Sequence, residues 1–81
     1  RFLMYPNPTS DAVQLLLTSD ESVDLTVNVY DILGQQVLSR NLGTIQGDHT
    51  TRIAVDQLPR GIYAVEITDG AHRKTHQLTV Q

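Results

Sequence analysis

Apolar and polar residues alternate with a period of two along most of this chain. Val23, Leu25, Val27 and Val29 alternate with Ser22, Asp24, Thr26, Asn28 and Tyr30, placing four aliphatic side chains on one face and polar groups on the other. That is the pattern of a half-buried β-strand. The β-branched residues in the run suit a pleated surface better than a helix because their χ1 is restricted. Val13, Leu15 and Leu17 repeat the pattern upstream, and Tyr63, Val65 and Ile67 repeat it downstream. No window of ten or more residues carries a helical 3.6 period.

Turn signals divide the chain at short intervals. Pro6 and Pro8 keep the segment from Pro6 to Asp11 out of a central strand, because each proline removes a ladder donor. Ser19-Asp20-Glu21-Ser22 reads as a polar connection, and Gly43 to Asp48 as a longer loop. Gly34 is placed to supply the positive φ of a tight hairpin after Asp31, whose side chain caps the turn. Asp56 to Arg60 forms a corner, and Asp69-Gly70 is a strong hairpin signal. Seven strand candidates remain, at about 1–5, 12–18, 23–32, 36–42, 50–55, 61–68 and 73–80. Seven short, evenly spaced strands predict an all-β fold, an antiparallel immunoglobulin-like β-sandwich, in one domain spanning 1–81.

Leu58-Pro59-Arg60-Gly61-Ile62-Tyr63 has the layout of a corner entering a core strand. Pro59 fixes φ and stops the preceding strand. Gly61 removes a side chain where the backbone turns sharply or packs closely. Tyr63 opens the inward row that continues at Val65. A buried tyrosine at such a place forms a tyrosine corner, its hydroxyl bonding main chain a few residues upstream.

Composition narrows the chemistry. A net charge of −3, with five arginines and one lysine scattered except for Arg73-Lys74, gives no nucleic-acid footprint. With no cysteine, disulfides, thiol chemistry and cysteine-ligated zinc are excluded. Apolar runs such as Leu15-Leu16-Leu17 fall far short of the roughly 20 residues of a transmembrane helix. Arg1-Phe2-Leu3-Met4 lacks the length and cleavage site of a signal peptide, and because the chain begins at Arg1 rather than methionine it reads as a piece of a longer protein with any targeting signal upstream.

Candidate sites for catalysis or metal are poor. His72 and His76 lie about 13 Å apart on an extended strand, too far for a shared metal. Asp20, Glu21 and Asp24 cluster carboxylates suited to a hard cation, but without a glycine-spaced ligand pattern. Ser10, Ser19, Ser22 and Ser39 lie in turns or on polar faces, and none sits in a nucleophile elbow. No enzyme activity, metal or cofactor is expected. A carbohydrate-binding module stacks sugars on exposed aromatics, and here only Tyr5 and Tyr30 are placed for that.

Four landmarks in order resemble the C-terminal sorting domain of the type IX secretion system of Bacteroidetes-type bacteria. They are Tyr5-Pro6-Asn7-Pro8, then Tyr30-Asp31-Ile32-Leu33-Gly34 with Val37, then Leu58, Gly61, Tyr63 and Val65, and finally Arg73-Lys74 before Gln77-Leu78-Thr79-Val80-Gln81. The family usually has a glycine where this chain has Asp11, a residue that tolerates the left-handed conformation. The resemblance implies a domain carried at the C-terminus of a cargo protein, with the cargo domain on its N-terminal side. It implies transit through the periplasm, recognition by the type IX outer-membrane translocon and a cell-surface sortase that often removes the tag, and a final place at the cell surface or outside the cell. A terminal strand at a sheet edge is open to extension by a partner, which marks Arg73, Lys74, Leu78 and Val80 as the docking element. Deleting 73–81 is then expected to leave cargo in the periplasm. The alternative is an immunoglobulin- or fibronectin-like accessory module for carbohydrate binding or domain packing.

Overall fold

The computed structural model describes residues 1–81 and contains five strands and no helix. They are β1 (Phe2–Tyr5), β2 (Ala12–Tyr30), β3 (Gln36–Ala54), β4 (Gly61–Thr68) and β5 (Arg73–Val80). All pair antiparallel in one sheet of order β1-β2-β4-β5, with β3 along the other edge of β2. The expected all-β antiparallel fold is present. The expected seven-stranded sandwich is not: the sheet is continuous and bends on itself into an open half-barrel.

The difference lies in two segments whose residues are typical of connections. The candidates at 12–18 and 23–32 are the two halves of β2, and those at 36–42 and 50–55 lie within β3. Ser19 to Ser22 contain neither glycine nor proline, and polarity alone does not break a strand whose side chains face water. The register merely shifts between Ser19 and Val23. Gly47, opposite Ser19, and Gly43, opposite Leu25 where the register shifts again, adopt φ of +78° and +74° and bend β3 without ending it. A bulge keeps the pairing while adding local twist, so the two long strands curve together. The 23–32 candidate also overshoots, because Asp31 already belongs to the following turn.

The bend gives β2 three partners. Its first half pairs with β1, from Phe2 opposite Leu17 to Tyr5 opposite Gln14. Its second half pairs with β4, from Thr26 opposite Thr68 to Tyr30 opposite Ala64. The alternating apolar rows therefore enclose one core. Val13, Leu15 and Leu17 join Leu25, Val27 and Val29 of β2, Ile53 of β3, Val65 of β4 and Leu78 of β5.

The local turn devices form as their residues require. Asp31 Oδ1 accepts from the N–H groups of Leu33 and Gln35, each at 2.9 Å, and Gly34 takes φ +81°. The β4–β5 turn is built on Asp69, whose Oδ1 accepts from His72 N at 2.7 Å and Ala71 N at 2.9 Å. These main-chain donors, that of His72 first, hold the Asp69 carboxyl below its usual 3.8, with the His72 ring adding to the effect. A depressed folded-state pKa adds stability that is complete above the unfolded value and is lost as pH falls through the folded one. The stability advantage over Asp69→Asn is thus expected to be full near neutrality and to shrink below about pH 3.8. Chemical denaturation of both proteins across that range checks it, and a constant difference down to strong acid refutes it.

Candidate functional site

The C-terminal strand is held to the sheet along one side only by a regular ladder. Its pairing with β4 runs without a register shift from Gly61 opposite Val80 to Thr68 opposite Arg73. In such a ladder alternate residues turn their main-chain groups outward, and here those are Arg73, Thr75, Gln77 and Thr79.

The outer edge of β5 has two parts. Its C-terminal half meets the N-terminal loop. Asn7 Nδ2 donates to Gln77 O at 2.8 Å, and Thr79 N donates to Asn7 Oδ1 at 3.1 Å. Thr9 N donates to Thr79 O at 3.0 Å and Gln81 N donates to Thr9 O at 2.8 Å, forming a parallel bridge between Thr9 and Val80. The N-terminal half, Arg73 and Thr75, has no main-chain partner on that side. The terminal strand is thus an open edge over its first residues alone.

Leu78 and Val80 are 0% and 2% exposed and belong to the core. Neither presents a side chain for docking, because the ladder with β4 turns the even-numbered residues of the strand's end inward. Arg73 and Lys74 are exposed. Arg73 approaches Glu66 at 3.6 Å, and Lys74 lines a cleft beside Arg1, Leu17, Val23, Leu25 and Ile67 at the open mouth of the half-barrel.

Several of the other landmark residues serve the fold, while Tyr5, Ile32, Leu33 and Val37 are exposed. Tyr63 is 6% exposed, and its hydroxyl donates to the carbonyl oxygen of Pro59, closing the tyrosine corner. Leu58 packs against the core and Val65 lies within it. Gly61 departs from expectation: its φ is not positive, and an added Cβ would meet only Tyr63 Cε1 at 4.0 Å, an ordinary contact. The corner is turned at Asp56 and Gln57, closed by Leu58 N on Val55 O at 3.0 Å, with bends at Leu58 and Arg60 before the glycine. Asp11 likewise avoids the left-handed region, and its carbonyl accepts from Val55 N at 2.8 Å. Tyr5 is exposed at the end of β1, while Tyr30 is half-buried with its hydroxyl 3.4 Å from Glu66 Oε1. One of the two rings considered for sugar stacking is therefore engaged.

Three features escaped the alternation pattern. Glu66 lies between inward Val65 and Ile67, yet it is 8% exposed. Its Oε1 accepts from Asn28 Nδ2 at 3.1 Å, while Asn28 Oδ1 accepts from Ser39 Oγ at 2.7 Å. These residues share the outer face across β3, β2 and β4, and only the register of three strands brings them together. Thr9 is buried, with its Oγ1 donating to Ala12 O and accepting from Asp11 N. His76 packs on Phe2 in a tilted arrangement with ring centroids 4.3 Å apart, and its Nε2 lies 2.9 Å from Phe2 O. That imidazole bridges the seam between β1 and β5 where no main-chain ladder forms.

No curated protein matches the chain. The sequence model of the family described as the secretion system C-terminal sorting domain matches residues 3–81. That span takes in the Asn7–Thr9 loop, the Asp31–Gly34 turn, the Pro59–Tyr63 corner and the whole of β5. This chain belongs to the family of type IX secretion system C-terminal sorting domains.

Proposed function

We propose that residues 1–81 act as a non-catalytic C-terminal tag that directs a cargo domain, joined on the N-terminal side, from the periplasm through the type IX outer-membrane translocon. The tag docks through the outer edge of β5. A cell-surface sortase then recognises and often removes it, leaving the cargo at the cell surface or free outside the cell.

The observation that carries docking is the unpaired main chain of Arg73 and Thr75 at the edge of a strand otherwise locked into the sheet. A free edge offers the same donors and acceptors whatever the cargo, so an extended partner segment is recognised through main-chain bonds. A tag shared among unrelated cargos needs that kind of recognition. The serine hydroxyls that are engaged bond nearby polar groups, Ser19 to Glu21 O and Ser39 to Asn28, rather than a histidine.

The test is a reporter with its own periplasmic signal, fused ahead of residues 1–81 and expressed in a type IX-competent host. Reporter in the medium or on the cell surface is the expected result. Reporter confined to the periplasm, with the domain folded, overturns the proposal.

A further inference from the structure

The two halves of the β5 edge differ in a way that bears on how a partner gains it. Gln77, Thr79 and Gln81 are bonded by Asn7 and Thr9, while Arg73 and Thr75 are free on that side. The Asn7 amide donates to one main-chain group and accepts from the next, as a neighbouring strand would. Thr9 adds two bonds of a parallel bridge. The loop thus stands where the last residues of a pairing strand would lie. It is tied down by Thr9 Oγ1, which bonds Ala12 O at 2.9 Å at the start of β2.

We propose that Asn7-Pro8-Thr9 is a removable latch on the terminal strand, and that docking proceeds by strand displacement. This mechanism rests on docking through β5. An extended partner segment pairs first with Arg73 and Thr75, opens the contact of His76 with Phe2 across the β1–β5 seam, then advances toward Gln81 and displaces the latch. Each latch bond lost is replaced by an equivalent partner bond, so the exchange proceeds in small steps and never leaves the whole edge bare.

The surroundings of the free end indicate the partner's chemistry. The cleft beside it has an apolar floor of Leu17, Val23, Leu25 and Ile67, with Arg1, Arg73 and Lys74 around it and one carboxylate, Asp69, whose Oδ1 is taken up by the turn's own N–H groups. Three of the chain's six lysines and arginines therefore gather at one mouth of a molecule whose net charge is −3. A segment suited to it is extended, with apolar side chains at alternate positions and acidic groups between them. Alternation lets one side of the strand face the cleft floor while its main chain pairs with β5.

In the latched state Leu78 and Val80 remain buried and the edge cannot pair indiscriminately with another copy. Exposed strand edges are templates for aggregation, and covering them is a common protection. The latch lies beside the N-terminal end of the domain, where the cargo joins, so the two ends of the tag are coupled through four hydrogen bonds.

Two variants of the reporter fusion test the latch. Thr9→Cys with Val80→Cys places thiols on register partners, and with no native cysteine only one intramolecular disulfide forms. The oxidised protein is expected to remain in the periplasm, and reduction is expected to restore export. Asn7→Ala is expected to speed hydrogen exchange at the Thr79 amide roughly tenfold, to leave Tyr63 protected and to export no more slowly than wild type. Loss of export by a folded Asn7→Ala overturns the latch, because Asn7 would then itself be read by the partner. A wild-type reporter that never leaves the periplasm overturns docking together with the latch. Export of the oxidised double-cysteine form at the wild-type rate, with wild type also exported, overturns the latch alone.

Discussion

Replacing Tyr63 with alanine is expected to destabilise the domain by about 3–5 kcal/mol, the usual cost of deleting a large buried aromatic side chain. Tyr63 is 6% exposed and lies in the same core as Val65, Leu78 and Val80. Its hydroxyl also fixes the path of the preceding corner by donating to Pro59 O. Domains of this size have on the order of 4–12 kcal/mol of stability in total, so this one substitution removes a large fraction of it. Tyr63→Phe separates the two contributions. It keeps the ring and leaves the Pro59 carbonyl without its partner, for an expected loss of about 1 kcal/mol. Urea denaturation of the three proteins measures both differences, and an unchanged midpoint for Tyr63→Ala would show that the corner does not support the fold. A secretion defect in Tyr63→Ala then follows from unfolding. The Leu58-to-Tyr63 stretch thus helps build the core of the domain.

What was legible in the sequence follows the distance between interacting residues. The tyrosine corner was legible because donor and acceptor are four residues apart, and so was the Asp31 turn, closed within four residues. β4 and β5 were legible because short alternating runs end at clear turn residues. The continuity of β2 and β3 was not. Ser19 to Ser22 and Gly43 to Asp48 carry residues typical of loops, and only their pairing across one hairpin shows that both strands bend together. Nor was the place of Asn7. It marks a family motif in the sequence, but its partner Gln77 lies 70 residues away. Glu66 shows the same limit: alternation turns it outward, and its burial comes from residues on neighbouring strands.

The same long-range contacts change which experiment isolates the proposed docking edge. Deleting 73–81 was the test suggested by sequence, but it removes Leu78 and Val80 from the core along with the edge. Loss of export in that deletion would follow from unfolding as readily as from loss of docking. Thr75→Pro separates the two. Thr75 is exposed, and the alternation of the β4–β5 ladder turns its N–H away from β4. Proline is tolerated in an edge strand where the N–H faces away from the sheet, and an extended Lys74 already satisfies the restriction on the residue before proline. The core is untouched, so the change in stability is expected to stay within about 1 kcal/mol. At the free edge, however, the substitution removes a donor and puts a ring where a partner strand must pass. Main-chain bonds supply the affinity of strand addition, so export is expected to fall about tenfold or more. Thr75→Ala keeps the N–H and is expected to export normally. Pulse-labelling of the reporter gives the export rate and thermal denaturation the stability. Thr75→Pro that is folded and secreted at the wild-type rate would place the docking surface away from β5.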